Sequence, residues 1–375
     1  MKFIHLSDLH IGKRVNEFNM LEDQKFILEE ILATIDEENV NAALIAGDVY
    51  DKTVPAVEAV KVFDWFLTEL YRRKLEVYMI SGNHDSAERL AFGNRLLAEE
   101  GIYVSEAFDG EIKSVISKAS GGNVQVFMMP YIKPISVRKY FENQEVVTYD
   151  TAIKVVMDSL DVDKNKVNII LAHQFVAGAA RCESEEIAIG GVDSISLENF
   201  NDFDYVALGH LHGPQKLGRD TVRYAGSPLK YSFSEVNHNK SVPLIEVSDS
   251  GDVRVTLAPL KPLRDMRVIR GTYDQVMAFD FYKDSNVDDY IKVVLTDEEP
   301  IHEVLSKLRS VYPNIMTLEF DNTRTKKSAE VKAFEEIEQE TPYNLISKFY
   351  EIRNNQEMTE KQSEICNTLI EEIWR

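Results

Sequence analysis

Five short apolar runs in this 375-residue chain each end in a polar turn bearing aspartate, asparagine or histidine. The turns are Asp8-Leu9-His10, Gly47-Asp48, Gly82-Asn83-His84-Asp85, Ala172-His173 and Gly209-His210-Leu211-His212. The first three runs, Lys2 to Leu6, Ala42 to Ala46 and Glu76 to Ile80, alternate with helical periods over Leu21 to Ile35, Ala56 to Tyr71 and Ser86 to Glu99. That alternation is the sequence form of βαβ units and a largely parallel sheet. Phe26, Ile27, Ile31, Leu32 and Ile35 are expected on one face of the first helix, and Leu90, Phe92, Leu96 and Leu97 supply the apolar positions of the third. Open α/β sheets bind ligands beyond the carboxyl ends of their strands, so side chains in these turns are expected to converge although they lie far apart in the chain.

Asp8, His10, Asp48, Asn83, His173, His210 and His212 together offer two carboxylates, one amide oxygen and four imidazoles. This is a metal-ligand inventory without thiolate, suited to Mn²⁺, Fe or Zn²⁺ with positions left open for water. Seven ligands exceed what one open ion uses. Two ions about 3.5 to 4 Å apart would use them all, with Asp48 as the bridge, and that arrangement serves in-line displacement at phosphorus. Gly47, Gly82 and Gly209 stand directly before ligands, where a missing Cβ permits close backbone approach. Singly, Asp8 or Asp48 reads as a cap or turn residue and His173 as a buried histidine; the ordered set carries the inference. His5, on the opposite face of the first strand, and His238 and His302 are read as structural or exposed, and Tyr50, Asp51 and Lys52 as turn residues.

Forty-two basic against 63 acidic residues give a formal charge of -21, and 44% hydrophobic with 28% charged residues is a globular composition. Fibrous and disordered classes are excluded. Cys182 and Cys366 cannot form a disulfide framework, which fits a reducing compartment. The longest uncharged stretches, Ala119 to Ile132 and Val167 to Ala180, fall short of a membrane span, and the start MKFIHLSDLHIG reads as a strand rather than a signal peptide. A cytoplasmic protein is expected. The acidic balance argues against a simple nucleic-acid binder, unless a basic groove, bound metals or a partner supplies the contact.

The middle of the chain reads as strands at Val124 to Met129, Val167 to Ala172, Tyr205 to Leu208, Val222 to Ala225, Pro243 to Val247 and Val253 to Leu257. The expected organisation is a first domain over 1–262 and a small α+β domain over 263–322, with strands at Met266 to Ile269, Tyr290 to Leu295 and Ile315 to Phe320 and a helix over Ile301 to Val311. A charged linker over 323–341 then leads to a helical segment over 342–375. There Leu345, Ile346, Phe349 and Tyr350, and again Ile365, Leu369, Ile370 and Ile373, recur at helical spacing. These two apolar faces either pack on their own protein or dock in another chain's helical groove.

The order Asp-x-His, Gly-Asp, Gly-Asn-His-Asp, Ala-His and Gly-His-x-His resembles the calcineurin-like metallophosphoesterase superfamily. DLHIGK near residue 8, GDVYDKTVP from Gly47, SGNHDS from Ser81, ALGHLH from Ala207 and YAGSPL from Tyr224 are similar to its SbcD family of bacterial Mre-type nucleases, over essentially the whole chain. The resemblance implies an α/β fold, a calcineurin-like β-sandwich flanked by helices, with a small capping domain and a C-terminal helical tail. It implies that Asp8, His10, Asp48 and His212 hold one ion and Asp48, Asn83, His173 and His210 the other, with Mn²⁺ the usual metal. His84 then matches the histidine that contacts the scissile phosphate and helps protonate the leaving oxygen, and Asp85 is the partner expected to orient it. Where other relatives carry a further histidine after Gly-Asp, this chain has Asp51.

The implied activity is metal-assisted hydrolysis of DNA phosphodiesters, exonucleolytic (3′ to 5′) and endonucleolytic, on double-strand ends and hairpins, in repair, recombination and replication. The implied partners are an SbcC-like coiled-coil ATPase, docked by the 342–375 tail, and a second copy in a heterotetramer, with dimer helices near Ala56 to Tyr71 and Ser86 to Glu99. Two rivals stand beside this reading. A phosphatase or small-molecule phosphodiesterase on the same scaffold is weakened by Lys52, where protein phosphatases of the superfamily carry arginine. A non-catalytic DNA-end scaffold predicts missing ligands, and none is missing.

Overall fold

The computed structural model describes residues 1–182, 185 and 193–322, and towards the C-terminus residues 346, 347, 350, 358, 359, 361–363, 365 and 366. The chain falls into two compact units. One comprises Met1–Val268, Asn286–Lys292 and Tyr312–Thr317, and the other Ile269–Ser285, Val293–Val311 and Leu318–Arg375.

The first unit is built on two six-stranded sheets. In space the first runs Val253–Pro259, Ser241–Val247, Lys2–Leu6, Ala42–Ala46, Glu76–Ile80, Ile102–Val104. The last four of these are mutually parallel, and the two late strands add antiparallel. The second runs Gln215–Leu217, Arg219–Tyr224, Tyr205–Gly209, Val167–His173, Val124–Met129, Lys113–Ile116, again with four parallel strands and one antiparallel strand at each edge.

Strand periodicity sorts the side chains into layers. Phe3, Leu44 and Tyr78 of the first sheet share one core with Ile169, Leu171 and Tyr205 of the second. The alternate residues Ile4, Leu6, Ala43 and Ile45 face outward, into a core with Ile27, Ile31, Phe63 and Phe66 of two helices. Ile170, Ala172, Val206 and Leu208 do the same on the second sheet, against Ala152, Ile153 and Val156 of the helix Tyr149–Asp158. Strands buried on both faces account for their near-continuous apolar sequences. The product is the expected sandwich flanked by helices.

The helix Leu21–Glu38 buries Ile27, Leu28, Ile31, Leu32 and Ile35, together with Asp23 and Gln24, while Phe26 sits half-buried at its edge. The helix expected over Ser86 to Glu99 is instead two short pieces, Ala87–Leu90 and Asn94–Glu99, parted at Gly93 with φ 76°. Leu90 and Phe92 stand about 200° apart on a helix, so no single stripe holds them. Phe92 is 87% exposed and Leu96 74%. A three-stranded sheet runs in the order Met266–Gly271, Tyr290–Leu295, Ile315–Phe320. The helix expected over Ile301 to Val311 shortens to Val304–Leu308, because Glu303 before it takes a left-handed conformation. Among the described residues no helix is long and apolar enough to cross a membrane.

Candidate metal centre

Each of the five turns follows a strand end: Asp8 and His10 after Leu6, Asp48 after Ala46, Asn83 and His84 after Ile80, His173 as the last residue of its strand, and His210 and His212 after Gly209. The parallel strands of both sheets deliver them to one place. The turns are bound to one another through backbone, Asp8 N–H donating to Gly47 O (3.1 Å), His10 N–H to Asp48 O (2.9 Å) and Ile11 N–H to Val49 O (2.9 Å). Asp8, His10, Asp48 and His210 all have positive φ, at 51°, 44°, 49° and 102°. Four non-glycine residues in that region cost on the order of 1 to 3 kcal/mol each, and such strain collects at functional sites that the surrounding structure over-determines.

Close packing is what demands glycine here. A Cβ at Gly82 would lie 2.1 Å from Asp48 Oδ1, and one at Gly209 would lie 2.0 Å from Ala46 O. Both distances are far inside van der Waals contact.

All seven candidate ligands come together. Asp48 Oδ2 lies 3.2 Å from His173 Nε2 and 3.7 Å from His10 Nε2. Asn83 Oδ1 lies 3.1 Å from His173 Nε2 and 3.0 Å from His210 Nδ1. His10 Nε2 and His212 Nε2 are 3.1 Å apart, and Asp8 offers an oxygen within 4.8 Å of donors from both of these histidines. Both oxygens of Asp8 also accept the His210 N–H, each at 3.1 Å. Asp8, His10, Asp48, His173 and His212 are at most 2% exposed.

The donors fit cations. His173 Nδ1–H donates to Ala46 O at 2.8 Å, so its Nε2 faces two oxygens, of Asp48 and Asn83. Only a proton or a cation can satisfy all three. Donors about 2.1 Å from one metal stand roughly 3 to 3.5 Å apart, which is the spacing of these pairs.

Electrostatics say the same. Burial raises the Asp8 carboxyl to about 6, against the pull of His173 and His212. At Asp48 burial pushes upward too, but the charge and hydrogen bond of His173, with His10 and His84, outweigh it and hold the carboxyl well below the usual range. Burial disfavours the His173 cation, yet Asp48 overrides it and lifts the imidazole to about 9. His10 goes far down and His210 to about 3, each chiefly through burial. With buried carboxylates and buried imidazoles this close, positive charge is what the site lacks.

His84 is half-buried at the rim, its Nδ1 donating to Asp51 O at 3.1 Å and its ring meeting the His10 ring edge-on at 4.8 Å. The partner expected for it, Asp85, has other work. Its carboxylate accepts the N–H groups of Val49 (3.1 Å), Tyr50 (3.0 Å) and Gly82 (3.0 Å), tying the second and third turns together. The hydrogen bonds described for Asp85 all run to main-chain N–H groups, while the His84 imidazole is held by the main-chain carbonyl of Asp51. Asp51 also ion-pairs with Lys13 at 2.8 Å.

Several residues that matter gave no signal in the sequence. Gln24 donates to His10 O (2.7 Å) and accepts from Gly12 N–H (2.9 Å), bracing the first turn from the helix Leu21–Glu38. Tyr231 sets its ring edge-on to both His10 and His212 and donates to Leu9 O. Glu235, fully buried, accepts from His212 Nδ1 at 3.2 Å and from Lys240 Nζ at 2.6 Å. All three belong to segments with ordinary helix or loop composition, so only spatial neighbours reveal them. His5 lies between the sheets, bonded to Tyr205 Oη at 3.0 Å and pushed down to about 3 by burial. His302 is exposed, and His238 lies 3.9 Å from Glu235.

Among the apolar tail positions, Ile346 and Ile365 are exposed and Tyr350 is half-buried. Leu345, Phe349, Leu369, Ile370 and Ile373 lie outside the described residues.

Comparison with known proteins adds independent findings. Residues 1–214 match the family described as Calcineurin-like phosphoesterase, and residues 262–354 match one described as Type 5 capsule protein repressor C-terminal domain. The SbcD component of the nuclease SbcCD of Staphylococcus epidermidis is 32% identical over 377 residues, covering 99% of this chain and 98% of that protein. A dimetal phosphatase from Danio rerio is 13% identical with a TM-score of 0.44, covering 69% of this chain and 96% of its own. A Thermus thermophilus structure is 12% identical with a TM-score of 0.39, covering 68% and 98%.

Proposed function

Because the chain belongs to the calcineurin-like phosphoesterases and, within them, to the SbcD family of nuclease components, we propose that it hydrolyses DNA phosphodiesters as the nuclease component of a complex with an SbcC-like ATPase. It is a metal-dependent phosphodiesterase. The finer reading gives it exonucleolytic and endonucleolytic action on double-strand ends and hairpins, in DNA repair and recombination.

The observation that carries this reading is Asp48, whose Oδ2 reaches towards His173 on one side and His10 on the other. Asp8, His10, Asp48 and His212 would hold one divalent cation, and Asp48, Asn83, His173 and His210 a second. When bound, such a pair supplies Lewis-acid polarisation of the phosphoryl group and a water nucleophile at neutral pH. A mixed oxygen and nitrogen donor set without thiolate suits Mn²⁺, Fe or Zn²⁺, and the family resemblance favours Mn²⁺ among them.

His84 performs the proton work. With Nδ1–H committed to Asp51 O, Nε2 is the atom left to carry a transferable proton. As water oxygen joins phosphorus and releases one proton to solvent, the P–O3′ bond breaks and the Nε2 proton of the imidazolium form passes to the departing 3′ oxygen, leaving a neutral ring that is reprotonated from solvent. The strained, mutually bonded turns keep the phosphate-facing groups in place, so reorganisation during the step is small.

The remaining assignments follow the family. Residues 1–262 form the nuclease domain and 263–322 a capping domain; 323–341 is a linker, and 342–375 docks the ATPase. The exposure of Ile346 and Ile365 supports docking, and that of Phe92 and Leu96 supports a homodimer. Digestion of linear duplex DNA with Mn²⁺, beside a phosphomonoester and a cyclic nucleotide, tests the substrate class. Cleavage of DNA with poor monoester turnover is expected; the reverse pattern would make the protein a phosphatase.

A further inference from the structure

A buried ring of hydrogen bonds behind the metal centre encloses His212. Lys240 Nζ donates to His212 O (2.8 Å), Ser227 Oγ (2.8 Å) and Glu235 Oε2 (2.6 Å), which uses all three of its protons. Glu235 Oε1 in turn accepts from His212 Nδ1 at 3.2 Å and from Tyr231 N–H at 3.3 Å. The lysine therefore holds the backbone of His212 and, through the glutamate, its side chain. Glu235 is fully buried and Lys240 is 7% exposed.

We propose that Glu235, kept as a buried carboxylate by its ion pair with Lys240, is a positioning residue that locks His212 in its Nδ1–H tautomer, with the Nε2 lone pair turned to His10. This inference rests on reading the site as a metal centre. Its physical basis is the three-bond ring. A neutral imidazole donates from one nitrogen only, and the carboxylate is an acceptor on the Nδ1 side, so the lone pair falls on Nε2. That nitrogen lies 3.1 Å from His10 Nε2, where a shared cation would sit.

Stability alone does not explain the pair. Replacing a buried ion pair by apolar residues of similar volume is often neutral or stabilising, because both charges must be desolvated. Partners that orient a metal-bound histidine are instead worth about 10- to 100-fold in metal affinity.

Two charge-neutral double variants separate these roles. In Glu235→Gln with Lys240→Met the amide oxygen still accepts from Nδ1–H; in Glu235→Leu with Lys240→Met that side-chain acceptor is removed. The full chain, stripped with chelator and titrated calorimetrically with Mn²⁺, is expected to bind within about threefold of wild type in the glutamine variant. In the leucine variant one of two equivalents should weaken about 10- to 100-fold, with little change in Tm. Equal binding by the two doubles, unchanged or equally weakened, overturns the proposal. Nitrogen-15 NMR of the stripped wild-type chain gives a second test that needs no variant to fold. It should show His212 as the Nδ1–H tautomer, and the Nε2–H form would refute the locking role. Failure of wild type to take up Mn²⁺ would remove the metal reading itself, together with this inference. Uptake of two equivalents alongside identical doubles removes only the positioning role.

Discussion

His10 Nε2 and His212 Nε2 face each other at 3.1 Å, although the two residues are 202 positions apart in the sequence. In the metal-free chain one ring donates its Nε2–H to the lone pair of the other, and both nitrogens stay within reach of a shared cation. Glu235 takes the other nitrogen of His212, and burial holds His10 neutral. A divalent cation that displaced the shared proton would be held by both nitrogens.

Stability of the stripped chain should depend on alkaline pH. The folded value of His173, about 9, is raised above its ordinary 6.5, mainly by Asp48 working against burial. The pair therefore stabilises fully below about pH 6.5 and its contribution fades as pH rises through about 9. Scanning fluorimetry should show Tm of the chelated chain falling between about pH 7 and 9.5, with the Mn²⁺-loaded chain changing less. A flat profile for the chelated chain would show that the Asp48–His173 ion pair does not form.

Asp48→Asn removes the charge that both ligand sets share. Metal content by elemental analysis should fall from two equivalents to below one, and nuclease activity by at least about 100-fold. Two tightly held equivalents in the variant would disprove the bridge.

His84→Ala should leave metal content and Tm close to wild type while DNA hydrolysis drops by about 10²- to 10⁴-fold. The main-chain N–H of residue 84, which donates to Asp48 Oδ1 at 2.9 Å, survives the substitution. Activity within a few-fold of wild type would dismiss the proton-donor role.

Gly209→Ala introduces a Cβ that would sit 2.0 Å from Ala46 O and 2.7 Å from His173 Nδ1. The carbonyl it strikes is the one that orients His173. Denaturant titration should register a loss of about 1 to 3 kcal/mol, accompanied by weaker Mn²⁺ binding. Unaltered stability and metal affinity would mean that the two sheets can part at no cost here.

Deleting residues 342–375 should abolish co-purification with an SbcC-like ATPase but spare Mn²⁺-dependent cleavage of a small phosphodiester. Retained co-purification assigns the docking surface elsewhere.

Much of the site could be read from the chain because each ligand is tied to a local event, the end of a short apolar strand. Lys2–Leu6, Ala42–Ala46 and Glu76–Ile80 have the bounds read from composition alone. The helix expected from Ser86 to Glu99 failed where Gly93 turned left-handed and Phe92 faced solvent, a surface position that periodicity reads as core. Asp85 beside His84 invited a local partnership, yet its carboxylate is spent on three N–H groups, two of them more than 30 residues away.

The order of apolar runs and polar turns by itself determined the strand-end chemistry: which residues carry oxygen and nitrogen donors, and that parallel strands present them at one edge. Folding alone decided which donors become neighbours. It placed the late strand Ser241–Val247 antiparallel beside Lys2–Leu6, set His212 against His10, and put Glu235 and Lys240 behind them. The reason is physical: hydrophobic periodicity is a local property that any strand or helix displays, whereas sheet order, ring tautomers and buried charge pairs depend on contacts between segments whose sequences carry no mark of one another.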